Sequence, residues 1–353
     1  MTHTRIQART LLKRTLAAAA ALVTGAAVLT GCSSGSDDGR TKLVIAYQDN
    51  GMPSLIKQSG VLDGTPYDVE WAILAGPAAN LSALYGKTID VGHMGDTSLT
   101  IEQANAPTEW TEQTVPLKII AGWRNNFDPR YPPLVTAVRT SANIDSPADL
   151  RGHSWGYNFG GYNHGQYLAS LAIAGLSESD VEPVKFNDGN ASAAAFNSGQ
   201  VDVFSGSHGA ILESLSRGDA KILLTDRDTE IPALNVWTAR TDVLADPAKD
   251  EALQDFFGRL SGFWDWYKAN PDEVTQTLKS TLKLTDERAA FEYQVRGEGF
   301  RKLDSELVAE EQGVADTLFD AGVVKKHVDV AIEYDPRYND AQKATGPLTA
   351  AAR

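Results

Sequence analysis

The chain of 353 residues holds a single cysteine. One thiol excludes an intrachain disulfide and any zinc site built on several cysteines. Basic residues are also scarce: 32 Lys and Arg stand against 46 Asp and Glu, for a net charge of −14. A chain this acidic lacks the cationic footprint that nucleic acid requires. The six histidines include no pair at i,i+4 and no HExxH, so no metal site is assigned. There is no GxSxG elbow, no GK[ST] phosphate loop and no GxGxxG followed by an acidic residue. No catalytic residue and no cofactor is assigned.

One apolar run stands out, at 16–28, behind the basic residues Arg5, Arg9, Lys13 and Arg14. It is too short for a comfortable permanent span. It ends in Leu29-Thr30-Gly31-Cys32, which resembles the lipobox of bacterial lipoproteins; the only cysteine sits where that motif needs it. The expectation is a signal peptide at 1–31, lipid on Cys32, and a polar flexible tether over 32–41. Loss of the leader makes the mature chain four charges more acidic. No other run approaches the roughly 20 apolar residues of a membrane span. The mature protein is thus expected outside the cytoplasm, anchored to the membrane without crossing it.

The remainder is too long for one ordinary core, and two lobes are expected. Strand-like runs at 43–47, 67–73, 89–92, 117–123, 134–138, 154–157, 184–186, 201–205, 222–224 and 236–239 alternate with stretches of helical length. Such alternation predicts parallel sheets covered by helices. An internal echo supports two similar halves. Gly76-Pro77-Ala78-Ala79-Asn80-Leu81 precedes Ile89-Asp90-Val91; at a constant offset of 112, Asp188-Gly189-Asn190-Ala191-Ser192-Ala193 precedes Val201-Asp202-Val203. The boundaries fall near Pro132-Pro133 and Pro232-Ala233. The first lobe is read as 42–135 plus 236–340, the second as 136–235, and 341–353 as a disordered tail. Phe256, Leu260, Phe263, Trp264 and Tyr267 follow helical spacing and read as core. Residues 247–335 then form a helical return over the first lobe.

In open α/β sheets, ligands sit at the carboxyl ends of strands beside helix N-termini. Four loops occupy such places: Gln48-Asp49-Asn50-Gly51; Gly95-Asp96-Thr97-Ser98; Asn158 to His164, with Gly160, Gly161 and Tyr162; and Ser205-Gly206-Ser207-His208 after Phe204. Each offers small or hydroxyl residues and backbone donors at a helix start, which is anion-binding equipment. Singly each is an ordinary cap or turn; the functional reading rests on the four converging. His164 and His208 lie on two of them, where contact with an anion and a surface or capping role are equally open.

The set LVIAYQDNG, LIKQSGVL, VEW, IDVGHMGDTSL, ADLRGHSWGYNFGG and GQVDVFSGS resembles the substrate-binding lipoproteins of ABC transporters for aliphatic sulfonates, taurine and nitrate, over roughly 42–245. The resemblance implies an α/β fold of the two-lobed periplasmic-binding-protein type II (Venus-flytrap) class with C-terminal helices. It implies a monomer that captures a small organic sulfonate-type anion in its cleft and passes it to permease subunits. Carried over by position, the contacts are Gln48, Asp49 and Asn50; Gly95, Asp96 and Thr97; Gly160, Gly161 and Tyr162; and Phe204, Ser205 and Gly206. The sulfonate-like group is expected between Thr97 and Gly160-Gly161, with Ser205 as a supplementary donor. Relatives often carry Asp-Ala, an aromatic and a Pro-containing run where this chain has VDVFSGSHGAIL. The organic end of the ligand is therefore left open, and Phe159, Tyr162, Trp123 and Trp237 are candidates to line it. The leading reading is a binding protein, with two alternative ligands open: a thiamine-precursor-like heterocycle, for which Asp49, Asp96 and Asp128 are available, or nitrate. A desulfinase-like enzyme on the same fold is the lesser alternative: such desulfinases use a cysteine in the cleft, and here Cys32 is given to lipidation, which closes that route.

Overall fold

The computed structural model describes residues 39–124, 130–297, 299–322 and 324–344. Cys32, the expected leader, most of the expected tether and Asp128 lie outside them. No helix among the described residues is long and apolar enough to cross a membrane.

The elements run β1 (Lys42–Tyr47), α1 (Gly51–Ser59), β2 (Asp68–Ile73), α2 (Pro77–Tyr85), β3 (Val91–Gly95), α3 (Thr97–Asn105), β4 (Leu117–Arg124), β5 (Leu134–Arg139), β6 (Ser154–Asn158), α4 (Tyr162–Ala174), β7 (Glu182–Phe186), α5 (Gly189–Asn197), β8 (Val203–Ser207), α6 (Leu212–Ser216), β9 (Ala220–Thr225), β10 (Leu234–Arg240), α7 (Thr241–Leu244), α8 (Pro247–Ala269), α9 (Pro271–Leu282), α10 (Asp286–Arg296), β11 (Gly299–Arg301) and α11 (Ser305–Asp320). Short 3-10 turns occur among them, one at His208–Ile211.

Two sheets result, ordered β11-β4-β10-β3-β1-β2 and β7-β6-β8-β5-β9. The echo at offset 112 is visible in three dimensions. β2-β1-β3 and β7-β6-β8 are parallel trios with the same order and the same helical crossovers. Each trio is extended by the strand that has just crossed from the other half: β10 beside β3, and β5 beside β8. These added pairs, and β4 and β9 beyond them, are antiparallel. The sheets are therefore mixed rather than parallel. Parallel neighbours are joined by a crossover, and the segment arriving at β10, 226–233, carries no helix. β5 joins the second sheet from Leu134 and β10 joins the first from Leu234.

The C-terminal helices do more than cover the first sheet. α8 starts at Asp246, whose carboxylate accepts from the N–H groups of Ala248 and Lys249, with Pro247 at the first helical position. Its stripe Phe256, Leu260, Phe263, Trp264 and Tyr267 is buried on the first sheet, as the spacing predicts. Burial of each such side chain contributes roughly 1.5–3 kcal/mol. Val314 and Leu318 of α11, however, enter the core of the second lobe with Leu168 and Leu171 of α4. Residues 341–344 also pack onto the first lobe: Gln342 is buried and its Nε2 donates to the Ile120 carbonyl at 2.7 Å. The rest of the expected tail lies outside the described residues.

Candidate functional site

The lobes touch. A Cβ built on Gly95 of β3 would lie 2.6 Å from the backbone N of Tyr162 at the start of α4. One built on Gly161 would lie 3.0 Å from Cγ of Pro77. Between these contacts is a cavity of about 180 Å³. The first lobe lines it with Tyr47, Gln48 and Asp49 after β1, Gly76 and Pro77 at the start of α2, and His93, Gly95, Trp123 and Asn235 from the strands. The second lobe contributes Asn158, then Gly161, Tyr162 and Asn163 at the start of α4, Asp188, Gly189 and Asn190 at the start of α5, and Ser207 after β8. Strand ends and helix starts thus meet from both sides, the arrangement open α/β sheets use for ligands.

The helix starts differ in one respect. Asp188 caps α5 with its own carboxylate, accepting from the Ala191 N–H at 2.9 Å. No side chain caps α2 or α4, whose N-cap residues are Gly76 and Gly161. The first N–H groups of a helix have no intrahelical acceptor, and its dipole favours negative charge there. Two such positive ends, one per lobe, open on the same cavity.

The opposite wall is aromatic and neutral. His93 stacks on Tyr47 with ring centroids 4.0 Å apart, and Trp123 lies 5.4 Å beyond. Burial pushes the His93 imidazole down to about 4, so it is uncharged near neutral pH. Its Nε2 meets Asn235 Oδ1 at 3.2 Å, and Gln48 Nε2 donates to its carbonyl at 3.2 Å.

A third wall comes from α10. Arg288, Glu292 and Arg296 occupy one face at i,i+4 spacing and all line the cavity. The Nε atoms of Arg288 and Arg296 donate to opposite oxygens of Glu292, at 2.6 and 2.8 Å. Arg296 also donates to Asp49 at 3.2 Å, while Asp49 accepts from the Gly51 N–H at 2.7 Å. Burial alone would raise the Glu292 carboxyl; the Arg296 and Arg288 guanidiniums outweigh it and hold it below the usual range.

Of the residues assigned from sequence, the structure brings Gln48, Asp49, Gly95, Gly161 and Tyr162 to the cavity. The others lie elsewhere, for definable reasons. Asn50 faces a separate surface groove with Pro53, Lys57 and Trp71. Asp96 is buried and caps its own helix, accepting from the N–H groups of Thr97 at 2.8 Å and Leu234 at 2.6 Å. Thr97 is buried where α3 meets α4, and a Cβ on Gly165 would lie 2.7 Å from its Oγ1. Gly160, at φ +90°, makes the turn that presents Gly161. β8 runs on to Ser207, two residues past the expected strand end at Ser205 and through most of the expected loop. Ser205 then faces the interior, sharing a hydrogen bond with Thr136 Oγ1 at 2.8 Å and accepting from Trp155 Nε1 at 3.0 Å. Phe204 points to the other face of the sheet, in the core beside Phe196, and its ring covers Gly206. His164 is stacked on Tyr157, His208 meets the Pro132 carbonyl at 3.2 Å, and Trp237 lies in the core beside Trp123 and Phe256.

Sequence reasoning missed Tyr47, His93, Asn235, the Gly76-Pro77 and Asp188–Asn190 starts and the whole of α10. Two signals were available. The echo pairs Gly76-Pro77 with Asp188-Gly189, so one helix start predicts the other. The Arg-x-x-x-Glu-x-x-x-Arg spacing places three alternating charges on one helix face.

Together, these two trios, crossing strands and interlobe cavity define a two-lobed α/β periplasmic-binding-protein fold. A family model described as NMT1/THI5 like matches residues 86–274, more than half of the sequence, and the chain belongs to that family. It is 23% identical over 292 residues to the putative aliphatic sulfonates-binding protein of Escherichia coli (strain K12), covering 82% of this chain and 86% of that one. Among solved structures it is similar to the alkanesulfonate-binding protein SsuA from Xanthomonas axonopodis pv. citri bound to MOPS, with TM-score 0.69 and 21% identity over 84% of this chain and 98% of the other. The desulfurization enzyme DSZB shares the fold with TM-score 0.57 and 15% identity over 86% of this chain and 99% of that one.

Proposed function

We propose that this protein is the extracytoplasmic solute-binding component of an ABC importer, and that its ligand is a small organic oxyanion of the sulfonate type. The observation that carries this reading is the pair of uncapped helix starts, Gly76-Pro77 and Gly161-Tyr162, facing one cavity from opposite lobes. The oxyanion sits between them, in place of the Thr97 and Ser205 contacts suggested by sequence. The organic end lies toward Tyr47, His93 and Trp123. A helix start contributes up to about 2 kcal/mol when partly buried. Hydrogen bonds to a charged group add roughly 1.5–3 kcal/mol each. A few together reach the ~8 kcal/mol of micromolar binding without net positive charge. The names of the sulfonate-binding relatives support the same ligand class. A cationic heterocycle is less well served: Asp96 is spent on its own helix, and Asp49 is engaged by Arg296. A cysteine-dependent desulfinase reaction finds no cysteine among the described residues.

Calorimetric titration with alkane- and arylsulfonates is the test. Wild type is expected to bind at micromolar concentration, and small-angle scattering to show contraction as the lobes close. Gly161→Val obstructs the approach to Pro77 and loses binding. Thr97→Val, whose Oγ1 is buried without a partner, keeps it. Absence of binding by every sulfonate and related oxyanion would sink the reading.

The same proposal places the lipid anchor on Cys32 and the permease as partner. Cys32→Ala is expected to release the protein from membrane fractions or to leave the leader uncut. Unchanged membrane association with normal processing would refute the anchor.

A further inference from the structure

The cavity contains two guanidiniums, yet it is not a cationic site. Arg288 and Arg296 share the carboxylate of Glu292, and Arg296 has a second partner in Asp49. Two positive charges meet two negative ones within a single connected chain. The remaining charged lining residue, Asp188, is committed to the start of α5. Glu292 also lies at the lobe contact. A Cβ on Gly209, in the turn after β8, would sit 2.8 Å from its Oε1 and 2.9 Å from Nε of Arg288. Phe291 next to it meets His208 edge-on at 4.6 Å. Lobe closure therefore seals Glu292 and both arginines into the wall of the filled cavity.

The geometry points to Glu292, with Asp49, as the residues that set the charge of the acceptable ligand. They are positioning residues: they hold the guanidiniums and cancel them, so that compensation for bound charge comes from the two helix starts alone. Dipole ends carry about half a charge each, which suits one negative charge and leaves a second uncompensated. The protein is thereby selective for tetrahedral monoanions over dianions of the same shape. This inference rests on the oxyanion reading of the cavity.

The test uses ethanesulfonate and ethylphosphonate, isosteric groups that differ by one charge above the second ionisation of the phosphonate. Both are titrated into the full-length protein at such a pH. Wild type is expected to bind the sulfonate and discriminate against the phosphonate. Glu292→Gln frees one positive charge beside the ligand, so the sulfonate-to-phosphonate ratio falls by at least about tenfold. Asp49→Asn, at a more exposed position and with less risk to folding, shifts the ratio in the same direction. A purely structural role would weaken both ligands alike. If wild type prefers the sulfonate and both folded variants keep its ratio, the charge-setting role is overturned while the oxyanion reading stands. If wild type binds neither ligand, the oxyanion reading falls and this inference with it.

Discussion

Gly95→Ala is expected to weaken ligand binding by about 10- to 100-fold while leaving the ligand-free protein as stable as wild type; that factor corresponds to the ~1–3 kcal/mol typical of an overpacked contact. The added methyl would stand 2.5 Å from Cγ and 2.6 Å from the backbone N of Tyr162. The ring can swing aside, but the backbone N opens α4 and moves only with the lobe. The clash exists only while the lobes are together, so opening relieves it and closure bears the whole cost. Gly76→Ala differs in a measurable way. Its Cβ would meet the Asn187 carbonyl across the same interface, and Gly76 also holds φ +81°. An alanine there is strained in open and closed forms alike, so this variant should lose both affinity and melting temperature. Wild-type affinity in a folded Gly95→Ala protein would show that the contact is not made in the ligand-bound state.

Glu311→Gln is expected to stabilise the protein, and more so as pH rises. Glu311 and Glu333 are almost completely buried, each with one carboxyl oxygen that has no hydrogen-bond partner. Burial raises the Glu311 carboxyl well above the usual range, and Asp96, Glu333 and Glu310 add to it. Burial raises Glu333 likewise, against the hydrogen bond from Thr100 at 3.1 Å, with Asp329 adding and Lys118 opposing. A carboxyl whose folded-state pKa lies above its unfolded value contributes stability that is complete below the unfolded pKa. That stability is lost as pH rises toward the folded pKa, because only the unfolded chain gives up its proton in that window. The loss runs at up to about 1.4 kcal/mol per pH unit for each group. Glutamine has no proton to lose, so its advantage grows from about pH 4.5 and levels off above the folded pKa. The buried imidazoles His93 and His208, each lowered to about 4, produce the opposite slope in acid. They are common to both proteins and cancel in the difference. Chemical denaturation of the pair from pH 5 to 9 measures it, and a difference that stays flat would refute buried, neutral Glu311.

The strands were legible because each is a short apolar run bounded by turn residues: all ten expected runs overlap strands of the structure, and those at 67–73, 89–92 and 201–205 begin one or two residues before β2, β3 and β8. β11 was not: three residues, Gly299, Phe300 and Arg301, are too few to carry an alternation. Pairing direction was misread because it depends on how linkers cross between lobes, which no local pattern encodes. Within the site, loops at strand ends could be found from the echo and from their glycines. Thr97 and Ser205 looked equally suitable in sequence. A one-residue change of phase along a strand turns a side chain to the opposite face of the sheet, as Phe204 and Ser205 illustrate, and neither face there opens on the cavity. α10 escaped notice for another reason: a helix with alternating charges reads as solvent-facing, and only the tertiary fold seats Glu292 against the second lobe.

The strand order also dictates a schedule for the growing chain. Every strand of the second sheet lies between Leu134 and Thr225 without interruption, so this sheet can pair as soon as it has emerged, although Val314 and Leu318 of α11 join its core later. The first sheet cannot. β3 and β4 have no bond to one another until β10 slides between them, and β10 is made only after the entire second half. α8, which covers the buried face of β1, is later still. The sheet that begins first is thus completed last, with unpaired edges on β3 and β4 throughout the interval. Such edges are the groups that invite wrong partners, and a holding factor that recognises this nascent protein has its longest opportunity there.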